Sequence, residues 1–203
     1  MAPAAGNPKR LILASASPRR LALLRQIGLE PDNVIAADID ERARRQERAV
    51  DLVRRLAGAK ARHVAASAGG AFVLAADTVV ACGRRILPKA EDEGTAQRCL
   101  ELLSGRRHRV LTGVALMAPD GRLAAREAVS TVTFKRLTAD EIAWYLAGGD
   151  WKGKAGGYAI QGPAALFVRF LSGSHSNVVG LPLYETGALL AGLGFPVALP
   201  PCR

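Results

Sequence analysis

Apolar residues follow two patterns along this chain: short continuous runs, and stretches in which they recur every three or four positions. The runs are typical of buried strands, and the recurring pattern is typical of helices that pack one face on a sheet. The runs predict strands at residues 10–15, 34–41, 71–81, 108–117, 158–161 and 164–173. A further strand at 127–137 is predicted as the return of the hairpin that the turn at 118–122 begins. The recurring pattern predicts helices at 18–27, 46–67, 92–103, 138–147 and 180–194.

The order of these elements predicts the fold class. Strands and helices interleave as in α/β proteins, but the turn at 118–122 joins two strands into a hairpin spanning 107–136, so an all-parallel sheet is excluded. We therefore predict a mixed central β-sheet flanked by helices, folded into two lobes with a cleft between them. With no repeat or linker, residues 1–203 are expected to form a single domain, in which 1–9 are a flexible N-terminus.

Composition narrows the class of protein further. Of 203 residues, 49% are hydrophobic and 23% charged, which is typical of globular domains. The sequence contains neither an uninterrupted membrane-spanning run nor a secretory signal, so no membrane association is expected. Its three cysteines, Cys82, Cys99 and Cys202, are widely spaced, which favours reduced thiols and a cytoplasmic location.

The net charge of +10 raises the hypothesis of a nucleic-acid-binding protein. Much of the charge lies at 41–62, where acidic residues are interspersed, and a shorter cluster lies at 105–109. Aromatic residues make up only 5% of the chain, too few for stacking on single strands, and no zinc finger or RNA-binding motif is present. Nucleic acid is therefore not the partner that we expect, and an acidic substrate is the alternative.

The first predicted helix has an unusual start. Ser17 suits the N-cap and Pro18 the first helical position, which places Arg19 and Arg20 beside the positive end of the helix dipole. A cation at such a position costs roughly 0.3–1 kcal/mol. Either both arginines are solvated surface charges, or they form a phosphate cradle together with the free N–H groups and the hydroxyls of Ser15 and Ser17.

A single carboxylate interrupts the most apolar run, "AFVLAADTVVA". Asp77 either caps a turn or pairs with an arginine, or it lies in a cleft where it binds a cation or takes a proton from water. Asp38, Asp40 and Glu41 end another predicted strand, where they either cap a helix or lie at the surface, or converge with Asp77. Carboxylates beside an anion cradle are what metal-assisted phosphate chemistry requires.

Other chemistries lack their motifs. The chain has no GxxxxGK[ST], GxGxxG, GxSxG or HExxH, and its histidines lie far apart, so P-loop, dinucleotide, esterase and histidine–metal sites are excluded. Three lysines remain as candidates for neutralising phosphate charge: Lys60, Lys89 and Lys154.

Taken in order, several segments resemble the Maf family of nucleoside triphosphate pyrophosphatases. The resemblance rests on "LILASASPRRLALLRQIG", "ADIDE", "ADTVV", "LSGRRHRVLTGVAL", "KAGGYAIQG" and "SNVVGLPLYET". It implies a Maf/ITPase-like fold, a homodimer, and hydrolysis between the α and β phosphates of a nucleotide, assisted by Mg²⁺ or Mn²⁺. The "YAIQG" segment resembles the branch that acts on dTTP and UTP.

The resemblance also implies roles for individual residues. Asp77 matches the catalytic proton acceptor, and Asp77 and Glu41 would bind the metal. Arg19, Thr78 and Gln161 match positions tied to substrate choice, and the Gln161 amide can donate to O4 and accept from N3–H of a pyrimidine. Six side chains would hold the triphosphate: Ser15, Ser17, Arg19, Arg20, Lys60 and Lys89. The alternative is a basic nucleic-acid-binding or division-regulating interaction protein.

Overall fold

The computed structural model of the chain describes residues 9–197, and a seven-stranded mixed sheet forms its centre. The sheet contains β1 (Leu11–Ala14), β2 (Asn33–Val34), β3 (Phe72–Cys82), β4 (Arg85–Leu87), β6 (Arg107–Met117), β7 (Leu123–Phe134) and β9 (Val168–Ser172). A second sheet pairs β5 (Lys89–Ala90) with β8 (Lys154–Ala155). The helices are α1 (Pro18–Gln26), α2 (Ala49–Ala65), α3 (Glu93–Leu103), α4 (Ala139–Ala147), a 3₁₀ turn (Pro163–Phe167), α5 (His175–Val179) and α6 (Leu183–Gly192).

Along the strand order of the main sheet, the pairing changes from parallel to antiparallel at β3. Its order is β2-β1-β3-β6-β7-β9, with β1 parallel to both β2 and β3, whereas β6, β7 and β9 run antiparallel to their neighbours. The predicted hairpin is β6–β7, which pairs over eleven residues. The predicted mixed sheet flanked by helices is therefore confirmed.

One edge of β3 is open in its middle, and this gap determines where the site lies. Along that edge β1 pairs with Phe72–Ala75 and β4 pairs with Val80–Cys82. Residues 76–79 therefore have β6 on one side and no described strand on the other. The chain leaves β1 at Ala14 and turns into α1 beside this gap.

Separate apolar clusters build the two lobes. Helix α2 packs on one face of the sheet through small residues such as Ala57 and Ala61, and it lies so close that a Cβ on Gly113 would clash with the Val53 carbonyl oxygen. Leu24 of α1 and Leu190 of α6 pack on the opposite face. Beyond the gap, α3 and α4 enclose a second cluster rich in aromatic residues, including Phe134, Tyr145, Tyr158 and Phe167. The cleft lies between these lobes, as predicted.

The strand predicted at 34–41 is wrong for most of its length. Strand β1 offers only four residues, so β2 pairs through Asn33 and Val34 alone, followed by one hydrogen bond from Ile35. The chain then runs irregularly to α2, and Asp40 binds Arg42 at the surface instead of extending the sheet.

The prediction is also wrong at two places near the cleft. Residues 158–161 contain no strand, because Gly156 and Gly157 adopt positive φ and the Ala159 N–H donates to the Tyr145 hydroxyl. Within 164–173, the chain first forms the 3₁₀ turn that Pro163 begins, and only then β9. The short elements β4, β5, β8 and α5 have no counterpart among the predicted ones.

Three further predictions concern membrane association, the state of the cysteines and the number of domains. No helix within 9–197 is both long and apolar enough to cross a membrane. Cys82 is half-buried and Cys99 buried, and both are free thiols. Cys202 and residues 1–8 lie outside the described residues, and the single-domain assignment stays a prediction.

Candidate active site

Asp77 and Thr78 lie at the gap in the sheet and face opposite sides of it. Because side chains alternate along a strand, Asp77 shares the face of Val79 and α2, whereas Thr78 shares the face of Val80. A pocket of about 310 Å³ passes through the gap and touches both residues. All the predicted site residues line it: Ser15, Ser17, Arg19, Arg20, Glu41, Lys60, Asp77, Thr78, Lys89 and Gln161, together with Lys154.

On the Asp77 side, acids and lysines alternate. The buried Lys60 extends from α2, and its Nζ lies 2.6 Å from both Asp77 Oδ1 and Glu41 Oε1. Lys89 Nζ lies 2.6 Å from the other Glu41 oxygen. Partial burial of Glu41 raises its pKa, but the hydrogen bonds from the two lysines outweigh that effect and lower the pKa to about 2. Of the three acids at 38–41, only Glu41 lines the pocket with Asp77.

The start of α1 faces the same pocket. Ser17 has N-cap backbone geometry but its hydroxyl makes no capping bond, and no acidic residue lies in the first turn. Ser15 instead accepts from the Ser17 N–H at 3.1 Å. Pro18 has no N–H, and the Arg20 N–H donates to the Ser17 carbonyl at 3.2 Å, so within the described residues the Arg19 N–H is left to attract an anion at this helix start.

The two arginines of this turn differ in what they bind. Arg20 donates to the Gly180 carbonyl (2.8 Å), to the Ser15 hydroxyl (3.2 Å) and to the Thr78 hydroxyl (3.2 Å). Within residues 9–197 the Arg19 guanidinium has no hydrogen bond or salt bridge, although it lines the pocket. Burial lowers the pKa of Arg19, and the charge of Asp150 opposes this shift. Arg19 is therefore available to an anionic ligand, and Arg20 is largely engaged by the protein.

On the Thr78 side, neutral groups lie beside the Arg20 guanidinium. Thr78 Oγ lies 2.9 Å from Thr112 Oγ, which in turn donates to the Asn177 carbonyl at 3.2 Å. Behind the pocket wall, the Tyr158 hydroxyl lies 2.8 Å from His108 Nε2, and both rings are buried. Burial lowers the pKa of His108 to about 4 and raises that of Tyr158, so both are neutral near pH 7.

Sequence reasoning missed Thr112, Asn177 and Tyr158. Their places follow from tertiary structure: Thr112 opposes Thr78 only because β3 and β6 pair in one particular register. The one signal in the sequence is a threonine in a run as apolar as "RVLTGVALM", which indicates a buried hydroxyl that needs a partner.

The acidic groups allow a limited test for a metal site. Within the described residues no cluster of three or more His, Cys, Asp or Glu side chains is present. Asp77 and Glu41 contact the same Lys60 nitrogen, so their carboxylates are close enough to share one cation. Mg²⁺ is commonly bound by one or two carboxylates together with substrate phosphates. The donor set therefore fits such an ion when a phosphate ligand completes it.

The fold and the pocket define a class, that of mixed α/β proteins with a cleft lined by basic side chains at a break in the central sheet. A HAM1 protein of Coxiella burnetii has a similar fold, with a TM-score of 0.53 at 19% identity over 91% of this chain and 99% of that one. At this identity the likeness concerns the fold alone.

The chain belongs to the Maf family: the Maf-like protein family model matches residues 10–193. It is 64% identical over 185 residues to a dTTP/UTP pyrophosphatase of Rhodospirillum rubrum, covering 91% of this chain and 88% of that protein. It is 58% identical over 195 residues to one of Novosphingobium aromaticivorans, covering 96% of each. The resemblance found in the sequence is thus confirmed.

Proposed function

We propose that this protein hydrolyses dTTP and UTP between the α and β phosphates, releasing the nucleoside monophosphate and pyrophosphate. The observation that carries the proposal is that Asp77, paired with Lys60 at the gap in the sheet, shares one pocket with the Arg19 guanidinium and the start of α1. The relatives at 64% and 58% identity are named for this reaction, which supports the choice of substrate.

The charges of the pocket suit a triphosphate. The backbone N–H and guanidinium of Arg19, together with the Ser17 hydroxyl, can bind the phosphate oxygens through hydrogen bonds, of which those from the guanidinium are charge-assisted. Lys89 and Lys154, from the paired strands β5 and β8, also line the pocket and add positive charge. Together these groups would orient the chain of phosphates so that the α phosphate lies beside Asp77.

We further propose that Asp77 and Glu41 hold a divalent cation, Mg²⁺ or Mn²⁺, together with the phosphates of the substrate. When bound, the ion would neutralise phosphate charge and make a nearby water more acidic. Lys60 contacts both carboxylates, so its ammonium group fixes their separation and compensates their charge before substrate arrives.

In the chemical step, a water oxygen forms a bond to the α phosphorus and the bond from that phosphorus to the bridging oxygen breaks. Asp77 accepts the proton that the water loses, and pyrophosphate leaves with the electron pair of the broken bond. The backbone N–H and guanidinium of Arg19 stabilise the charge that develops on the departing group. The homodimer and the cytoplasmic location stay predictions.

A panel of canonical nucleoside triphosphates, assayed for pyrophosphate release with Mg²⁺, with Mn²⁺ and with a chelator, tests the proposal. We expect the highest kcat/KM with dTTP and UTP and no turnover in the chelator. An absence of turnover with every nucleotide, or release of orthophosphate only, would overturn the proposed function.

A further inference from the structure

Thr78 is held by other hydroxyl and guanidinium groups before any ligand binds. Its Oγ lies 2.9 Å from Thr112 Oγ and 3.2 Å from Arg20 Nη2. Thr112 is fully buried, and its hydroxyl also lies 3.2 Å from the Asn177 carbonyl oxygen, which is buried as well. These contacts decide in which direction each hydroxyl donates.

The direction follows from the number of protons available. A carbonyl oxygen can only accept, so the single proton of Thr112 goes to Asn177. The proton in the 2.9 Å contact must therefore come from Thr78. A longer contact of 3.5 Å, to the Gly180 carbonyl, would also direct the Thr78 proton to the protein.

Arg20 occupies one of the lone pairs of the Thr78 hydroxyl with a hydrogen bond. A guanidinium group has donors only, so at its 3.2 Å contact Thr78 accepts. Thr78 is then left with one lone pair and no proton for the pocket that it lines. Toward a ligand it is an acceptor only.

The protein does not fix the orientation of the Gln161 side-chain amide in this way. It is exposed at the pocket wall, and no side-chain hydrogen bond ties it to the rest of residues 9–197. Its amide can rotate by half a turn and exchange donor for acceptor, so it can bind either the uracil or the cytosine edge. A choice between these bases needs a group whose direction is fixed, and Thr78 has this property.

We propose that Thr112 is a positioning residue that makes Thr78 an acceptor-only group and thereby selects nucleotides that present a ring N–H donor, as thymine and uracil do at N3. Cytosine presents a lone pair at N3 and is disfavoured, because two acceptors would face each other. The proposal rests on the proposed function and adds the group that sets base preference.

The test is the ratio of kcat/KM for UTP to kcat/KM for CTP, measured by pyrophosphate release. We expect the wild type to prefer UTP and Thr112→Val to reduce the ratio about tenfold, the size of one hydrogen bond. The acceptor at 2.9 Å is then gone, and only the long 3.5 Å contact to the Gly180 carbonyl competes with cytosine for the Thr78 proton. Thr112→Ser keeps the hydroxyl and should keep the ratio within about twofold of wild type.

Thr186→Val is the matched control. Thr186 is also fully buried and its hydroxyl donates to the Pro182 carbonyl at 2.8 Å, but it lies in α6 away from the pocket lining. It should leave the ratio unchanged even where stability falls. If Thr112→Val does not fold, Thr112→Cys supplies a side chain of similar size with only a weak acceptor and donor, and a smaller loss of preference in the same direction is expected.

The outcomes separate the two proposals. A wild type that hydrolyses UTP and CTP equally well, or a Thr112→Val variant that loses both activities in the same proportion, overturns the role of Thr112 and leaves the proposed function intact. A wild type that hydrolyses no nucleotide overturns the proposed function itself.

Discussion

Asp77 and Thr78 are neighbours on β3, yet the two sides of the sheet that they face are built differently. On the Asp77 side, full charges alternate over short distances: Lys60 contacts both Asp77 and Glu41, and Glu41 contacts Lys89. On the Thr78 side, hydroxyl and carbonyl groups form a neutral chain through Thr112, and one guanidinium group closes it.

This difference shows how one pocket can use one set of groups to act on the phosphates and another set to recognise the base. Charges act over several ångströms and suit a polyanion whose hydration must be replaced. Neutral hydrogen bonds have direction and discriminate strongly, because a wrong partner leaves buried groups unpaired. The gap in the sheet lets a single ligand reach both sides. The following predictions test this division, beginning with the largest effect.

Lys60→Met should reduce the free energy of unfolding by about 3–5 kcal/mol, because it leaves Asp77 as an unpaired carboxylate in a buried place. Urea unfolding at pH 7 without ligand measures the loss. Adding Asp77→Asn to the same chain should restore most of it.

Lys89→Met is the control for that loss. Lys89 also contacts Glu41 but its side chain is 51% exposed, so its removal should cost less than about 1 kcal/mol. If Lys60→Met cost no more than Lys89→Met, the buried ion pair would not distinguish the Asp77 side from an ordinary surface.

On the Thr78 side, the buried His108 should make the free energy of unfolding depend on pH. Burial lowers the pKa of His108 to about 4, whereas an unfolded histidine has a pKa near 6.5. Between these values the unfolded chain binds a proton that the folded chain does not, so stability falls as pH falls through this window. The loss is about 3 kcal/mol in all, and it is complete below pH 4.

His108→Gln keeps a hydrogen-bonding partner for Tyr158 and should remove this part of the dependence. We expect the difference in unfolding free energy between pH 7.5 and pH 4 to shrink by about 3 kcal/mol relative to wild type. His63→Gln, at an exposed position of α2, serves as control. If the free energy of unfolding fell equally with pH in wild type and His108→Gln, the imidazole would not be held neutral by the fold.

Replacing Arg19 by alanine should affect substrate binding, whereas replacing Arg20 should affect stability. Arg19→Ala should raise KM for UTP about tenfold and leave the free energy of unfolding within about 0.5 kcal/mol, since no described group depends on it. Arg20→Ala should cost about 2 kcal/mol of stability, because three acceptors lose their donor. If Arg19→Ala left KM unchanged, the arginine would be a solvated surface charge.

The sequence predicts the main sheet better than it predicts the site. Continuous apolar runs were sufficient for β3 and β6, since these strands are buried over most of their length. Strand β7, which alternates between more and less buried positions, was predicted as the returning strand of the hairpin. The run at 34–41 looked the same but lacks a partner strand long enough to pair with it. Strand pairing depends on residues distant in sequence, and a local pattern carries no information about them.

Within the site, Asp77 was evident as the one acid in an apolar run, but its partners were not. Lys60 was expected to face phosphate, and the structure places it on Asp77 and Glu41, because the rotation of α2 over the sheet decides where its side chains point. Likewise, adjacent helical positions differ by about 100° in direction, and this angle determines whether Arg19 or Arg20 is engaged by the protein.

The account depends on Asp77 acting at the α phosphate, and the products of UTP hydrolysis test this most directly. Chromatography and ³¹P NMR of a reaction with Mg²⁺ should show UMP and pyrophosphate in equal amounts for the wild type. Asp77→Asn, folded as judged by circular dichroism, should form them about 10²–10⁴-fold more slowly. Formation of UDP and orthophosphate by the wild type, or an undiminished rate in Asp77→Asn, would contradict the account.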